Sequence, residues 1–570
     1  MTRRSVAGLA LLLLAFESLP ESTQDSPWQV TFVDVAKDAG LGHPTIYGGV
    51  DRKRFIIETN GSGVALVDVD RDGWLDVLML SGTRLEEGKR AEVQWTPAAA
   101  PSNRLYRNRR DGTFEDVTDR AGLRRTGWAS SVCAGDYDND GWIDLFVTYY
   151  GRNVLYRNRG AGRFEDATAA AGLATTATRW GSGCTFIDID RDGLLDLFVA
   201  NYLRFDLQTA PEPGDGPNCT WKGIAVNCGP KGLPTDTNLL YRNQGGGRFA
   251  DVSERSGIAR VTGRYSMTAI AADLTGDDWP DIYVASDSTA AILYRNNRDA
   301  TFTDVAIESG TAYSEHGTAQ AGMGVAVGDY DGDGLLDLAK THFADDIPAL
   351  YRNLRNGLFE DSAVEAGLNV QNRHVQWGTG LTDFDNDGSP DLLYVTGHVY
   401  PEIERSLEHY PHRGPRILFR NNASGKGRRF EDVSASSGPG LTTPHSSRGA
   451  AFGDIDNDGD QDVVVMNMNE PPSVLRNDHP ASQAWIEIAL EGRSSNRSAI
   501  GATVVVTTGA RRQARAVLSQ SSYYSHDDMR LHFGLGRASR VDEIEVHWPS
   551  GRVQREKDVA ARRVVTIVER

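Results

Sequence analysis

The pattern D-x-D-x-D-G-x-x-D recurs seven times in this chain, beginning at Asp68, Asp136, Asp188, Asp273, Asp329, Asp383 and Asp454. Two carboxylates about 4 Å apart repel by roughly 4 kcal/mol at an effective dielectric of 20. Four of them on one tight loop therefore require a cation. Oxygen-only ligands select a hard ion, and a flexible loop of carboxylates plus one backbone carbonyl suits Ca²⁺ better than Mg²⁺.

Positions 1, 3, 5 and 9 are the expected carboxylate ligands. They are Asp68, Asp70, Asp72 and Asp76 in the first loop, then Asp136, Asp138, Asp140 and Asp144, then Asp188, Asp190, Asp192 and Asp196. The fifth, sixth and seventh loops offer Asp329, Asp331, Asp333 and Asp337; Asp383, Asp385, Asp387 and Asp391; and Asp454, Asp456, Asp458 and Asp462. The fourth loop keeps Asp273, Asp277 and Asp281, but Thr275 replaces the second aspartate and Asp278 the glycine. Six complete calcium sites are expected, and a seventh with a reduced ligand set. Position 7, such as Trp74 or Leu335, would add a carbonyl, and the glycine at position 6 permits the sharp turn. An EF-hand begins in the same way but needs a bidentate glutamate at position 12. That position is Met79, Val147, Val199, Val284, Lys340, Tyr394 and Val465 in the seven loops, and strand-like residues follow.

Each acidic loop lies in a larger unit. An apolar run precedes it (strand A) and a β-rich run follows (strand B). Next comes "LYRN" or a variant (strand C), beginning at Leu105, Leu155, Leu240, Leu293, Leu350, Leu418 and Val474. Then comes F-x-D (strand D), at Phe114, Phe164, Phe249, Phe302, Phe359 and Phe430. A one-turn helix signal often closes the unit, as in 117–123, where Thr118 is the expected cap and Gly122 the stop. Four-stranded units at this spacing suggest propeller blades. The seventh unit lacks F-x-D, and the missing strand sits at the start of the chain in "TFVDVAKDAGL" (31–41). The reading is all-β: a seven-bladed propeller over 28–478, closed by its N-terminal strand, then a small β domain over 484–570. Blade six reads as two residues shorter between Gly380 and Asp383 than blade five between Gly324 and Asp329, a change that keeps the strand's facing.

These residues resemble FG-GAP/VCBS repeats, as in the integrin α-subunit propeller. Residues 484–556 look like an ASPIC/UnbV domain, through "NRSAIGATVVV" (496–506), "RLHFGLG" (530–536) and "VDEIEVHWPSGRVQ" (541–554). The combination resembles bacterial relatives of cartilage acidic protein, an extracellular calcium-binding protein. The resemblance implies a seven-bladed propeller with calcium loops and a small C-terminal β domain. It implies no established reaction.

Composition fits this reading. The formal net charge of −18 argues against nucleic acid and anionic membrane surfaces as partners. The seven loops hold 27 aspartates at the expected ligand positions, so 14 positive charges from seven filled sites would offset most of the −18. Arg3, Arg4 and the apolar run 5–16 read as an export signal, taken as 1–23 with cleavage near 18–25, and place the protein in a secreted or periplasmic compartment. Cys219 and Cys228 are expected to pair, and Cys133 and Cys184 to stay as buried thiols. The strand C arginines (Arg107, Arg157, Arg242, Arg295, Arg352, Arg420 and Arg476) are expected to pair across the hairpin with the F-x-D aspartate, such as Asp116. His398, His409 and His412 could hold a transition metal but read better as loop residues.

No hydrolase, metalloprotease, nucleotide-binding or redox signature occurs. The leading reading is an exported, monomeric calcium-binding module for an extracellular protein or glycan. The alternatives are a polysaccharide lyase or hydrolase using the face opposite the calcium loops, and a structural envelope or matrix component. Long inserts at 82–103, 202–237 and 397–416 all join strands B and C, so ligand contacts are expected there, with Trp95, Trp221, Tyr400 and Tyr410 as anchors.

Overall fold

The computed structural model describes residues 28–97, 99–422, 429–480 and 483–570. The export signal assigned to 1–23 lies outside them. The described chain is all-β and β-propeller-like. Each acidic loop joins two antiparallel strands, as in Val64–Val67 and Asp76–Met79, which continue into Arg104–Asn108 and Phe114–Asp116. The same A–B–C–D order recurs through the sequence. Strands of units two and three join in one larger sheet through Arg179↔Gly151 and Trp180↔Tyr150.

The seventh unit supplies Ser447–Gly453, Asp462–Asn467 and Ser473–Asn477. Its fourth strand is Phe32–Asp34, paired antiparallel as Phe32↔Asn477. Phe32 is fully buried there and meets Phe384 edge-on. The N-terminal strand therefore completes the last sheet, as the orphan F-x-D in the sequence anticipates.

The asparagine of each LYRN run links neighbouring units. Its side-chain amide donates to the position-2 carbonyl of the preceding unit's acidic loop: Asn158 to Val69, Asn243 to Tyr137, Asn296 to Ile189, Asn353 to Leu274, Asn421 to Tyr330 and Asn477 to Phe384. Asn108 of unit one donates to Ile455 of unit seven. These seven bonds are 2.8–3.3 Å long. Sequence reasoning treated the asparagine only as part of a strand signature.

Blade six is not shortened. Val325↔Lys340 in unit five and Thr379↔Tyr394 in unit six occupy the same place relative to their acidic loops. Gly378, not Gly380, corresponds to Gly324. Thr118 does not cap its helix. Asp116 Oδ1 instead accepts the backbone N–H and the hydroxyl of Thr118, while Gly122 ends the turn at φ 77°.

The C-terminal residues form two sheets. Ala484–Glu491 pairs with Leu531–Gly536 and, in parallel, with Val564–Val568. Thr503–Thr508 lies between Arg511–Ala516 and Arg540–His547, with Val553–Ala560 on the outer side. Residues 519–527, "SQSSYYSHD", leave these sheets and run among the seven A strands. Every A strand donates at least one backbone N–H to this segment, and those of units one, two and three donate a second, from Val64, Ala134 and Cys184. Leu66 donates to His526 O, Val132 to Tyr524 O, Phe186 to Ser519 Oγ and Ala269 to Gln520 Oε1. Val325 donates to Ser522 O, Thr379 to Ser522 Oγ and Phe452 to Asp527 Oδ1. Inner edge strands would otherwise leave these donors unpaired. Tyr523 and Tyr524 are fully buried and stacked, with centroids 4.0 Å apart. Gly63 admits this approach, since a Cβ there would lie 1.8 Å from Tyr524 O.

Candidate functional site

Backbone donors shape each acidic loop. In the first, Asp68 accepts the N–H groups of Asp72 and Gly73, and Asp76 accepts those of Val69 and Asn108. The loop is thereby closed on itself and tied to strand C. Gly73 has φ 84°, the left-handed region where glycine carries no Cβ penalty. Asp278 takes the same conformation in the fourth loop at φ 67°, at the position where the other six loops have glycine.

The folded loops bring positions 1, 3 and 9 together. Carboxylate oxygens lie within 4.8 Å of one another in Asp68, Asp70 and Asp76; in Asp136, Asp138 and Asp144; in Asp188, Asp190 and Asp196; and in Asp383, Asp385 and Asp391. In the fifth loop the group is Asp329, Asp331 and Asp333. In the first loop Asp72, at position 5, has Oδ1 accepting the N–H of Trp74 and Oδ2 facing Arg107 and Arg110.

The arginines answer these charges, which corrects the sequence expectation. Arg107 pairs with Asp70 at 2.7 Å, Arg157 with Asp138 at 2.7 Å, Arg352 with Asp331 at 2.8 Å and Arg420 with Asp385 at 2.9 Å; Arg242 pairs with Asp190. The register explains this. Arg107 lies opposite Glu115, while Asp116 lies opposite Tyr106 and is engaged by Thr118 and Arg104. In unit seven Arg476 pairs with Asp478, and in unit four Arg295 is exposed while Arg298 takes Asp277.

One arginine does not satisfy a loop. Asp70, Asp138, Asp190 and Asp456 each keep a buried Oδ1 with no hydrogen-bond partner. Buried unpartnered carboxylate oxygens are costly. Burial pushes the pKa of Asp76, Asp136, Asp188 and Asp329 up to about 7, and that of Asp144 to about 9. The loops thus present oxygen donors that protons or a hard cation would satisfy, and the donor set fits Ca²⁺.

The C-terminal strands pack on this acidic side. Ala514 N donates to Asp329 Oδ2, Arg511 to Asp387 O, and Arg530 to Asp454 O; Asp136 N donates to Ser498 Oγ. Gly459 sits against Trp485, where no Cβ would fit. The sequence reading did not foresee that these loops are covered.

The three inserts meet on the other side. Arg90 of the first pairs with Glu212 of the second and donates to Leu207 O and Ala210 O. Trp221 of the second packs on Tyr400 and Tyr410 of the third, with centroids 6.3 and 4.9 Å away. Trp95 stands apart, its indole donating to Thr83 at 3.0 Å. Cys219 and Cys228 are bonded, and Cys133 and Cys184 are buried thiols. The histidines do not converge as ligands: His398 Nδ1 accepts the N–H of Tyr400, His412 Nδ1 bonds His398 O, and His409 is exposed. Trp180 and Trp377 are buried A-strand residues.

Among the described residues no helix is long and apolar enough to cross a membrane. Residues 91–147, 136–199, 273–339 and 383–465 match the FG-GAP-like repeat, and residues 492–570 match ASPIC and UnbV. Cartilage acidic protein 1 of Mus musculus is 25% identical over 452 residues, covering 68% of this chain and 64% of the relative. That of Xenopus tropicalis is 24% identical over 516 residues, covering 86% and 70%. The chain thus spans about two thirds of the length of these relatives. Among solved structures, the BP39L lectin from Burkholderia pseudomallei aligns over 73% of this chain and 95% of its own, with a TM-score of 0.44 and 9% identity, a likeness that carries no argument about function. The chain carries FG-GAP-like repeats followed by an ASPIC and UnbV domain and is homologous to cartilage acidic protein 1.

Proposed function

We propose that this chain is an exported, calcium-stabilised seven-bladed propeller that binds an extracellular protein or glycan at its insert face. The division is a signal over 1–23, a propeller over 28–478 and a β domain from 484. Calcium occupies the six complete loops and holds them from the acidic side. The observation that carries this reading is the set of buried, unpartnered Oδ1 atoms of Asp70, Asp138 and Asp190 inside clustered carboxylates. Extracellular calcium modules bind at roughly 10⁻⁴–10⁻³ M, which suits an exported protein. The C-terminal strands cover the acidic side, while the three inserts gather on the other, so ligand contacts belong to the inserts.

Elemental analysis and calorimetry test the metal. Calcium bound to the native state alone raises the melting temperature by mass action. A preparation that holds no calcium, with a melting temperature indifferent to chelator, would refute the reading. Ligand capture by the parent, compared with variants in which each insert becomes a short Gly/Ser turn, tests the face.

A further inference from the structure

A cavity of about 440 Å³ opens between the inserts. Trp221, Phe343 and Tyr400 line it, with ring centroids 6.2, 6.3 and 6.4 Å apart in the three pairs. His398 stands 4.7 to 5.5 Å from all three centroids but does not line the cavity, so it backs the rings from the far side. Burial lowers its pKa to about 3, which leaves it neutral. Asp287, Asp345 and Asp346 also line the cavity, against a single lining lysine, Lys231.

Two of these residues, Trp221 and Asp345, already hold an ammonium group. Lys222 Nζ lies 5.2 Å from the Trp221 centroid and 4.7 Å from that of Tyr410, and pairs with Asp345 at 2.6 Å. Asp345 reaches this position in a left-handed conformation, φ 65°. Deeper in, Tyr202 fixes Asp287 at 2.5 Å. The C-terminal segment sets the floor: Tyr524 donates to Met267 and Tyr523 to Asn60 O, and both Met267 and Asn60 line the cavity.

We propose that this cavity binds a small organic ammonium ion, seated over the Trp221, Phe343 and Tyr400 rings and facing Asp287. This rests on the reading of the insert face as the ligand face. Ring faces carry negative potential and attract cations within about 6 Å of the centroid. Carboxylates that outnumber ammonium groups in the lining add to that field and disfavour anions. A neutral isostere gains only the apolar contact.

Titration calorimetry on the full, calcium-loaded chain tests this with choline, its uncharged isostere 3,3-dimethylbutan-1-ol, and cadaverine. At least one amine should bind, about tenfold or more tighter than the neutral alcohol. Choline alone would specify a quaternary ammonium, and cadaverine alone a primary one. Phe343→Leu and Asp287→Asn should each weaken binding several-fold while keeping cooperative melting. A folded, calcium-loaded protein that binds neither amine, or binds the alcohol equally well, overturns the site and leaves the calcium reading standing. Amine binding by a protein that holds no calcium supports the site and overturns the calcium reading.

Discussion

The two faces of the propeller-like array of sheets are built on opposite rules. The acidic side repeats: every loop has the same length, the same glycine turn in six of seven cases and nearly the same charges. The insert side is irregular, aromatic and held by contacts between distant segments, such as Arg90 with Glu212 and Trp221 with Tyr410. Repetition suits a job done seven times, namely holding strand A to strand B around a charge cluster. Irregularity suits a job done once. The acidic side is also the side that the C-terminal strands cover, so abundance of charge there does not mean availability to a partner.

Metal removal should break this contrast most severely, and pH decides how. The folded-state pKa values of about 7 for Asp76, Asp136, Asp188 and Asp329 and about 9 for Asp144 lie above the ordinary carboxylate value of about 3.9. A raised acid contributes stability that is fully present below its unfolded value and lost as pH rises through the folded value. Calcium-free protein should therefore melt at a higher temperature at pH 5 than at pH 8. Calcium should reverse the order, because it displaces those protons. Each site at a hundredfold excess over its dissociation constant contributes about 2.7 kcal/mol. Scanning calorimetry at both pH values, with and without chelator, measures this; a calcium-free protein more stable at pH 8 would contradict it.

Deleting residues 28–41 should come next. It removes Phe32–Asp34 from the seventh sheet and bares the edge at Ser473–Asn477. Aggregation or loss of cooperative unfolding is expected in sedimentation and calorimetry, and a monomeric truncation with the parental melting temperature would count against the arrangement. A smaller effect, about 3–5 kcal/mol, is expected for Tyr523→Ala, from the cavity left beside Trp377 and Tyr524. Chemical denaturation measures it, and a loss under 1 kcal/mol would mean that residues 519–527 are dispensable. Arg107→Met should cost least, at or below about 1 kcal/mol, since Arg107 is a partly exposed partner of Asp70. It should also leave calcium content unchanged; a lost calcium would make the arginine part of the site.

The sequence carried the repeat unit a long way. Alternation, the turn glycines and the F-x-D count placed the four strands and assigned Phe32–Asp34 to the last sheet, because those signals are local. Pairing partners of long side chains were less legible. Arg107 could reach Asp116 or Asp70, and only the register put Glu115 opposite it and Asp116 opposite Tyr106. The shortened blade six was a misplaced glycine match, since Gly378 and Gly380 are alike in sequence and differ only in their strand partners.

By itself the sequence determined which residues form each unit, where the carboxylates cluster and which strand lacks a partner, because hydrophobic period, glycine turns and ligand spacing act over a few residues. Only the tertiary structure decided how the units are finished. Each of the seven A strands leaves at least one backbone donor on its inner edge. The run "SQSSYYSHD" accepts at least one bond from each, through backbone carbonyls of Ser519, Ser522, Tyr524 and His526 and through polar side chains. Its residues look like an ordinary polar loop until all seven strands surround them, since the demand they satisfy is created by the assembly and is absent from any single repeat.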